Sequence, residues 1–321
     1  MKKILFSVLA MAAFAACSNE EQIAAPKGQA IAFGDAFVDN ATKAIYDDAD
    51  DIKGFTVFGN VAAKVAEGET PNYVALYGNG AAVTRGDANL GAAWTCNVVR
   101  YWTPSCLYNF AAIANGDVAA NDIENGLPTK ISYTANAADP KDLIYATALA
   151  TTDESGAPSI TSGIVAFSFE HLLSRVKVSF LNSRNSSDYR YVISDVKIVA
   201  GTAGTLTIGS AWNNVTTGNL ACNSIEALGY STTATLSGTQ LVIPGTEVKV
   251  SFDYQEQLKV GESWSTINTV NDKVLTITTT PVKNNSYNAT VQFTAGNQIN
   301  FTVAATGGLV DFANDSNVTV Q

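Results

Sequence analysis

The side chains that could carry chemistry are few and scattered. His171 is the sole histidine among 321 residues. A Ser-His-Asp triad or a Cys-His pair would have to use it, and a site with several histidine ligands is excluded. It stands beside Glu170 and close to Arg175 at a strand junction, where a packed, hydrogen-bonded role is expected instead of catalysis. Four aspartates, Asp47, Asp48, Asp50 and Asp51, crowd one loop. The alternating ligands, central glycine and closing glutamate of a calcium loop are missing, so a solvated acidic loop is expected. Cys96 and Cys106 permit a disulfide across a turn, or both stay free; in either case Cys222 has no evident partner. Gly78 and Gly80 read as a turn, because no helix follows to receive a phosphate. Carboxylate pairs for glycoside hydrolysis are assembled in space, and no pair is singled out here. No catalytic residue, metal or cofactor is therefore assigned, and an enzyme is not expected. The net charge of −10 leaves no cluster of Lys and Arg for phosphates, which argues against nucleic acid as a partner.

The elements that must position these groups are strands. With 46% hydrophobic and 15% charged residues the chain can bury two sizeable cores. Apolar residues alternate at Val165, Phe167 and Phe169, at Val176, Val178 and Phe180, and again through Tyr189–Ile193 and Val196–Ile198. This is the period of a sheet, and it reads as adjacent antiparallel strands around a polar loop at 182–188. Val248, Val250, Phe252 and Tyr254 should point inward, as should Tyr287, Ala289, Val291 and Phe293. Ile31 and Phe33 share a face of a short first strand, and Ile299, Phe301 and Val303 form a late one. The nearest approach to a helix in the mature chain is 61–67. The aromatics Trp94, Tyr101, Trp102, Tyr108 and Phe110 are read as core and rim, with a sugar-stacking platform as the alternative.

The first sixteen residues have a basic start at Lys2 and Lys3, an apolar run, and Ala15 and Ala16 ahead of Cys17. That is the build of a secretory signal, and its end resembles a bacterial lipoprotein lipobox. Cys17 is expected to be acylated, giving the multi-chain anchoring that one acyl chain cannot provide. Residues 17–29 then read as a tether. The expected division is a signal peptide at 1–16, the tether, one β-sandwich at 30–163 and a second at 164–321.

With this lipobox come Ile31 and Phe33 before Thr42, Lys43 and Ala44, a strand from Phe55 to Phe58, the Arg100-Tyr101-Trp102-Thr103-Pro104 segment, and Phe169 to Lys177 around His171. In this order they resemble the Bacteroidales fimbrillin-like family over nearly the whole length. The resemblance implies an all-β fold of two transthyretin-like antiparallel β-sandwich domains in tandem. It implies a pilus subunit, exported as a lipoprotein, trimmed by a trypsin-like protease and polymerised by strand exchange to support adhesion. Carried over, Cys17 is the acylated cysteine, and Lys43 and Ala44 flank the maturation cut, which frees strand 30–38 with Ile31 and Phe33. The tail 309–321 is the candidate donor strand through Leu309, Val310, Phe312, Val318 and Val320. Other fimbrial subunits, the maturation protease, the outer membrane and host or bacterial adhesion targets are the implied partners, and a surface-exposed place in the outer membrane or pilus is the implied location. A stalk subunit is expected over a tip, because the tail is short and no lectin-like domain follows. The competing reading is a surface glycan-binding lipoprotein that stacks sugars on Trp94, Trp102 and Trp212.

Overall fold

The computed structural model describes residues 28–38, 52–86, 93–296 and 298–307. Over these the chain is all-β, with only two short 3-10 turns between strands. An eight-stranded sheet runs in the order β1 (Ala32–Val38), β11 (Ile164–His171), β10 (Ile144–Thr151), β6 (Cys106–Ala114), β2 (Gly54–Ala63), β4 (Ala81–Arg85) and β5 (Trp94–Cys96), with β3 (Val74–Ala75) added on β2. A four-stranded sheet follows the order β16 (Thr235–Val242), β12 (Ser174–Asn182), β19 (Asn285–Phe293) and β20 (Ile299–Gly307). A six-stranded sheet holds β14 (Trp212–Ala221), β13 (Tyr189–Thr207), β17 (Val248–Val260) and β18 (Ser263–Ile277), with β15 (Ile225–Leu228) and β9 (Lys130–Thr134) both pairing with β13. The small hairpin of β7 (Ile123–Glu124) and β8 (Leu127–Pro128) stands apart.

Period-2 alternation places the cores. In β11 every second residue is buried, so Val165, Phe167 and Phe169 join Phe33, Phe55 and Phe110 in a first core. In β17 and β19 the same alternation buries Val250 and Val291 in a second core between the four- and six-stranded sheets, which Val178 joins from β12, a strand buried on both faces. Truncating Val250 or Val291 to Ala should therefore cost about 1–3 kcal/mol by lost burial and a residual cavity, whereas Lys249→Ala, on the other face of β17, should be nearly silent in urea unfolding. Equal losses at Val250 and Lys249 would mean the register is wrong.

Three expectations are corrected. The run from 164 to 198 is not a set of adjacent antiparallel strands: β11, β12 and β13 fall in three different sheets, and β1–β11 and β12–β19 pair in parallel. Alternation fixes which face of a strand is buried but says nothing of its neighbour. The boundary expected at 163/164 also moves, because β11 belongs to the first core and the chain passes to the second only between His171 and Ser174. Finally, 61–67 is no helix, since Val61 to Ala63 complete β2 against β6.

A third apolar cluster joins the two halves. Leu172 and Leu173, at the crossing point, pack with Phe58, Ile113, Leu143, Leu206, Leu241 and Ile243, and β9 pairs with the far end of β13. Beside this seam lies the buried pair His171–Asp142, in which the imidazole Nδ1 meets the carboxylate Oδ2. Asn115 donates to the Asp142 carbonyl at 2.8 Å. Burial pushes the Asp142 carboxyl above the usual aspartate range, opposed by the bond to His171.

Candidate assembly site

The first strand is bound on both edges. On one side β1 runs parallel to β11, from Ala32 opposite Ile164 to Val38 opposite Phe169. On the other, Ile31 donates its backbone N–H to the Arg100 carbonyl at 2.8 Å, and Trp102 donates to the Gln29 carbonyl at 3.0 Å. Gln29 also donates through Nε2 to Ser162 at 2.7 Å, and the Trp102 indole donates to the Gly163 carbonyl at 3.2 Å. β11 itself pairs with β10 at Ile144–His171 and Tyr145–Glu170. The segment from Gln29 onward thus fills a slot between β11 and residues 100–102.

The slot has an apolar floor. Ile31 and Phe33 are each only 6% exposed. The Phe33 ring lies 6.0 Å from Phe167, 6.2 Å from Tyr77, and 6.3 Å from both Phe55 and Phe110. It is a central member of the first core's aromatic cluster, although it comes from the first strand of the sheet. Burial pushes the neighbouring Tyr77 phenol well above its usual range. Gly34 follows at the edge, where a methyl group would collide with Cγ2 of Ile164. Taken away, this strand would leave backbone groups on β11 and at Arg100 without partners and four aromatic rings open to water, two conditions that favour recapture of a strand.

A model of the fimbrillin-like family matches residues 42–317 of the chain. The chain belongs to the fimbrillin-like family. Among solved structures, a fimbrial protein from Bacteroides vulgatus superposes with a TM-score of 0.58 at 14% identity, covering 79% of this chain and 92% of that one. A proposed cell adhesion protein from Bacteroides uniformis gives a TM-score of 0.49 at 15% identity, over 88% of this chain and 99% of that one. The first of these supports the fold. A comparison with curated proteins finds no match. β1 lies ahead of the stretch matched by the family model, so its role rests on the geometry above.

Within this fimbrillin-like chain the other candidate residues are dispersed. Cys17, Lys43, Ala44, Leu309, Val310, Phe312, Val318 and Val320 lie outside the described residues, as does the acidic loop around Asp50. Residues 28 and 29, expected to end the tether, instead include Gln29 in the bonded slot. The three tryptophans of the glycan reading do not form one platform. Trp102 is buried against Tyr108, Trp94 packs on Phe55 at 5.1 Å, and Trp212 lines the seam between the halves. Cys96, Cys106 and Cys222 are free thiols, and burial pushes Cys222 up to about 11, so it stays protonated at neutral pH. His171, 3% exposed and bonded to Asp142, has no open face for a substrate. Gln29, Gly34 and the wall at 100–102 escape a reading by alternation, because their contribution is made through backbone contact.

Proposed function

We propose that this chain is a structural subunit of a surface pilus, exported as a lipoprotein through Cys17, trimmed after Lys43 by a trypsin-like protease and polymerised by strand exchange. The observation that carries the reading is the placement of Ile31 and Phe33. An N-terminal segment bonded to β11, to Ser162 and to the wall at 100–102 supplies the centre of an aromatic core. Membership of the fimbrillin-like family supports the same reading. Burying side chains of this kind contributes about 1.5–3 kcal/mol each, so an emptied slot favours whichever strand can refill it. Ordering costs are set against that gain, and they are lower for a slot whose walls already stand in place. The tail from 309 to 321 is the proposed replacement, donated by a neighbouring subunit. The two-part, transthyretin-like division of the chain and a non-enzymatic role belong to the same proposal.

N-terminal sequencing of the surface protein tests the cut: Ala44 should be the first residue, and a mature chain that still begins ahead of Ile31 would overturn it. Assembly should show as a ladder of heat-labile, SDS-resistant multimers on a gel. The anchor is tested separately. Because the thioether needs the Cys17 sulfur, Cys17→Ser should lose labelled-palmitate incorporation and leave the leader attached. Normal labelling of that variant would reject the lipobox.

A further inference from the structure

At the pole of the second half farthest from the seam, three connections converge: the loop from β12 to β13, the turn after β15, and the hairpin between β17 and β18. They enclose a cleft of about 740 Å3 lined by Ser186, Ser187, Tyr189, Arg190, Tyr230 and Trp264 among others. In a chain of net charge −10, no carboxylate lines it, and Arg190 is its one charged side chain.

The two arginines at this pole are differently engaged. Arg184 lies over the Tyr189 ring at 3.2 Å and is ion-paired with the buried carboxylate of Glu256, so its charge is matched. Arg190 sits 4.4 Å from the centre of the Trp264 ring and donates through Nε to the amide oxygen of Gln257 at 2.7 Å. Among the described residues it has no ion pair, and its two terminal nitrogens remain uncommitted. The stacking and the bond to Gln257 hold the guanidinium plane in place, which lowers the cost of using its free edge. Tyr230, 45% exposed, offers a ring at the mouth, and Ser186 and Ser187 offer hydroxyls.

We infer that this cleft binds an acidic saccharide, with a sugar ring against Trp264 and Tyr230 and its carboxylate on the Arg190 guanidinium. The apolar C–H face of a pyranose suits an aromatic ring, hydroxyls suit the serine rim, and a carboxylate matches the arginine fork in two parallel hydrogen bonds. The rest of the surface, being acidic, repels a long polyanion, so a short oligosaccharide with a single seat fits best. The site uses none of the slot residues around Phe33 and stands or falls apart from the assembly proposal.

The test is calorimetric titration of the full chain, unpolymerised, with trigalacturonate and with neutral maltotriose. Trigalacturonate should bind at least tenfold more tightly than maltotriose. Arg190→Gln should abolish that preference, and Arg190→Lys should restore only part of it. Trp264→Ala and, should that variant unfold, Tyr230→Ala should weaken both sugars several-fold. Absence of trigalacturonate binding at millimolar concentration, equal binding of the two sugars, or a preference that survives Arg190→Gln would each overturn the inference. All three readings are independent of whether the chain polymerises.

Discussion

A chain carrying Lys43→Ala is expected to be exported and acylated yet to give no multimer ladder at all. Uncut, it keeps Gln29, Ile31 and Phe33 in the slot between β11 and residues 100–102, and a tethered strand competes at an effective concentration that a free one cannot match. A chain lacking 309–321 should fail for the opposite reason: once trimmed it has an open slot but nothing to donate. Mixing the two gives the decisive result. The trimmed, tail-less chain should capture the tail of the Lys43→Ala chain, and growth should stop at a dimer. If Lys43→Ala alone polymerises like the parent, trimming is not the trigger; if the mixture gives no dimer although each chain is folded, the tail is not the donor.

The second large effect concerns the seam. Asp142→Ala should lower the stability of the untrimmed chain by about 3–5 kcal/mol in urea unfolding at neutral pH, because it removes one partner of a buried ionisable pair and leaves His171 facing a void. Asp142→Asn, whose amide can either accept from or donate to the imidazole Nδ1, should cost much less. Burial raises the Asp142 carboxyl above 3.8, so between that value and its raised folded value the native chain holds more protons than the unfolded one. The proton-linked part of the Asp142 contribution is therefore fully present below the unfolded value and is lost as pH rises through the folded one, while its packing and its bond to His171 remain at neutral pH. Asp142→Asn should remove this slope. A neutral outcome for Asp142→Ala would mean that the seam relaxes around the loss.

Much of this was legible in the residues. Val165, Phe167 and Phe169 and the inward positions of β17 and β19 are buried as alternation requires, and Ile31 and Phe33 are buried as a pair. What alternation could not convey was partnership. Nothing in residues 164–180 says that β11 pairs in parallel with a strand more than a hundred residues earlier, because a strand's neighbour is decided by edges and by the apolar surface that remains uncovered. The passage between the cores is hidden for the same reason: the apolar runs before and after His171 look alike, yet one completes the first core and the other opens the second. Arg190 and Trp264 lie 74 positions apart and meet only because β17 stands between β13 and β18. Trp102, by contrast, reads as core or rim and lies in the core.

Phe33 followed by Gly34 makes the slot a gauge of side-chain size. A deep seat among four rings is succeeded by a step where a Cβ collides with the Ile164 γ-methyl unless that side chain turns. A substitute strand must bring a β-branched or similar apolar residue, then any residue, then a large ring, then something very small. Val310, Asp311, Phe312 and Ala313 repeat the order of Ile31, Ala32, Phe33 and Gly34, and Ile164, 41% exposed, has room to turn away from one methyl group. A slip of one position would seat the Asp311 carboxylate among the rings without a partner, at a cost of several kcal/mol. Joints formed this way would all share one offset, so the axial repeat of the filament would be set within each subunit by the order of four side chains.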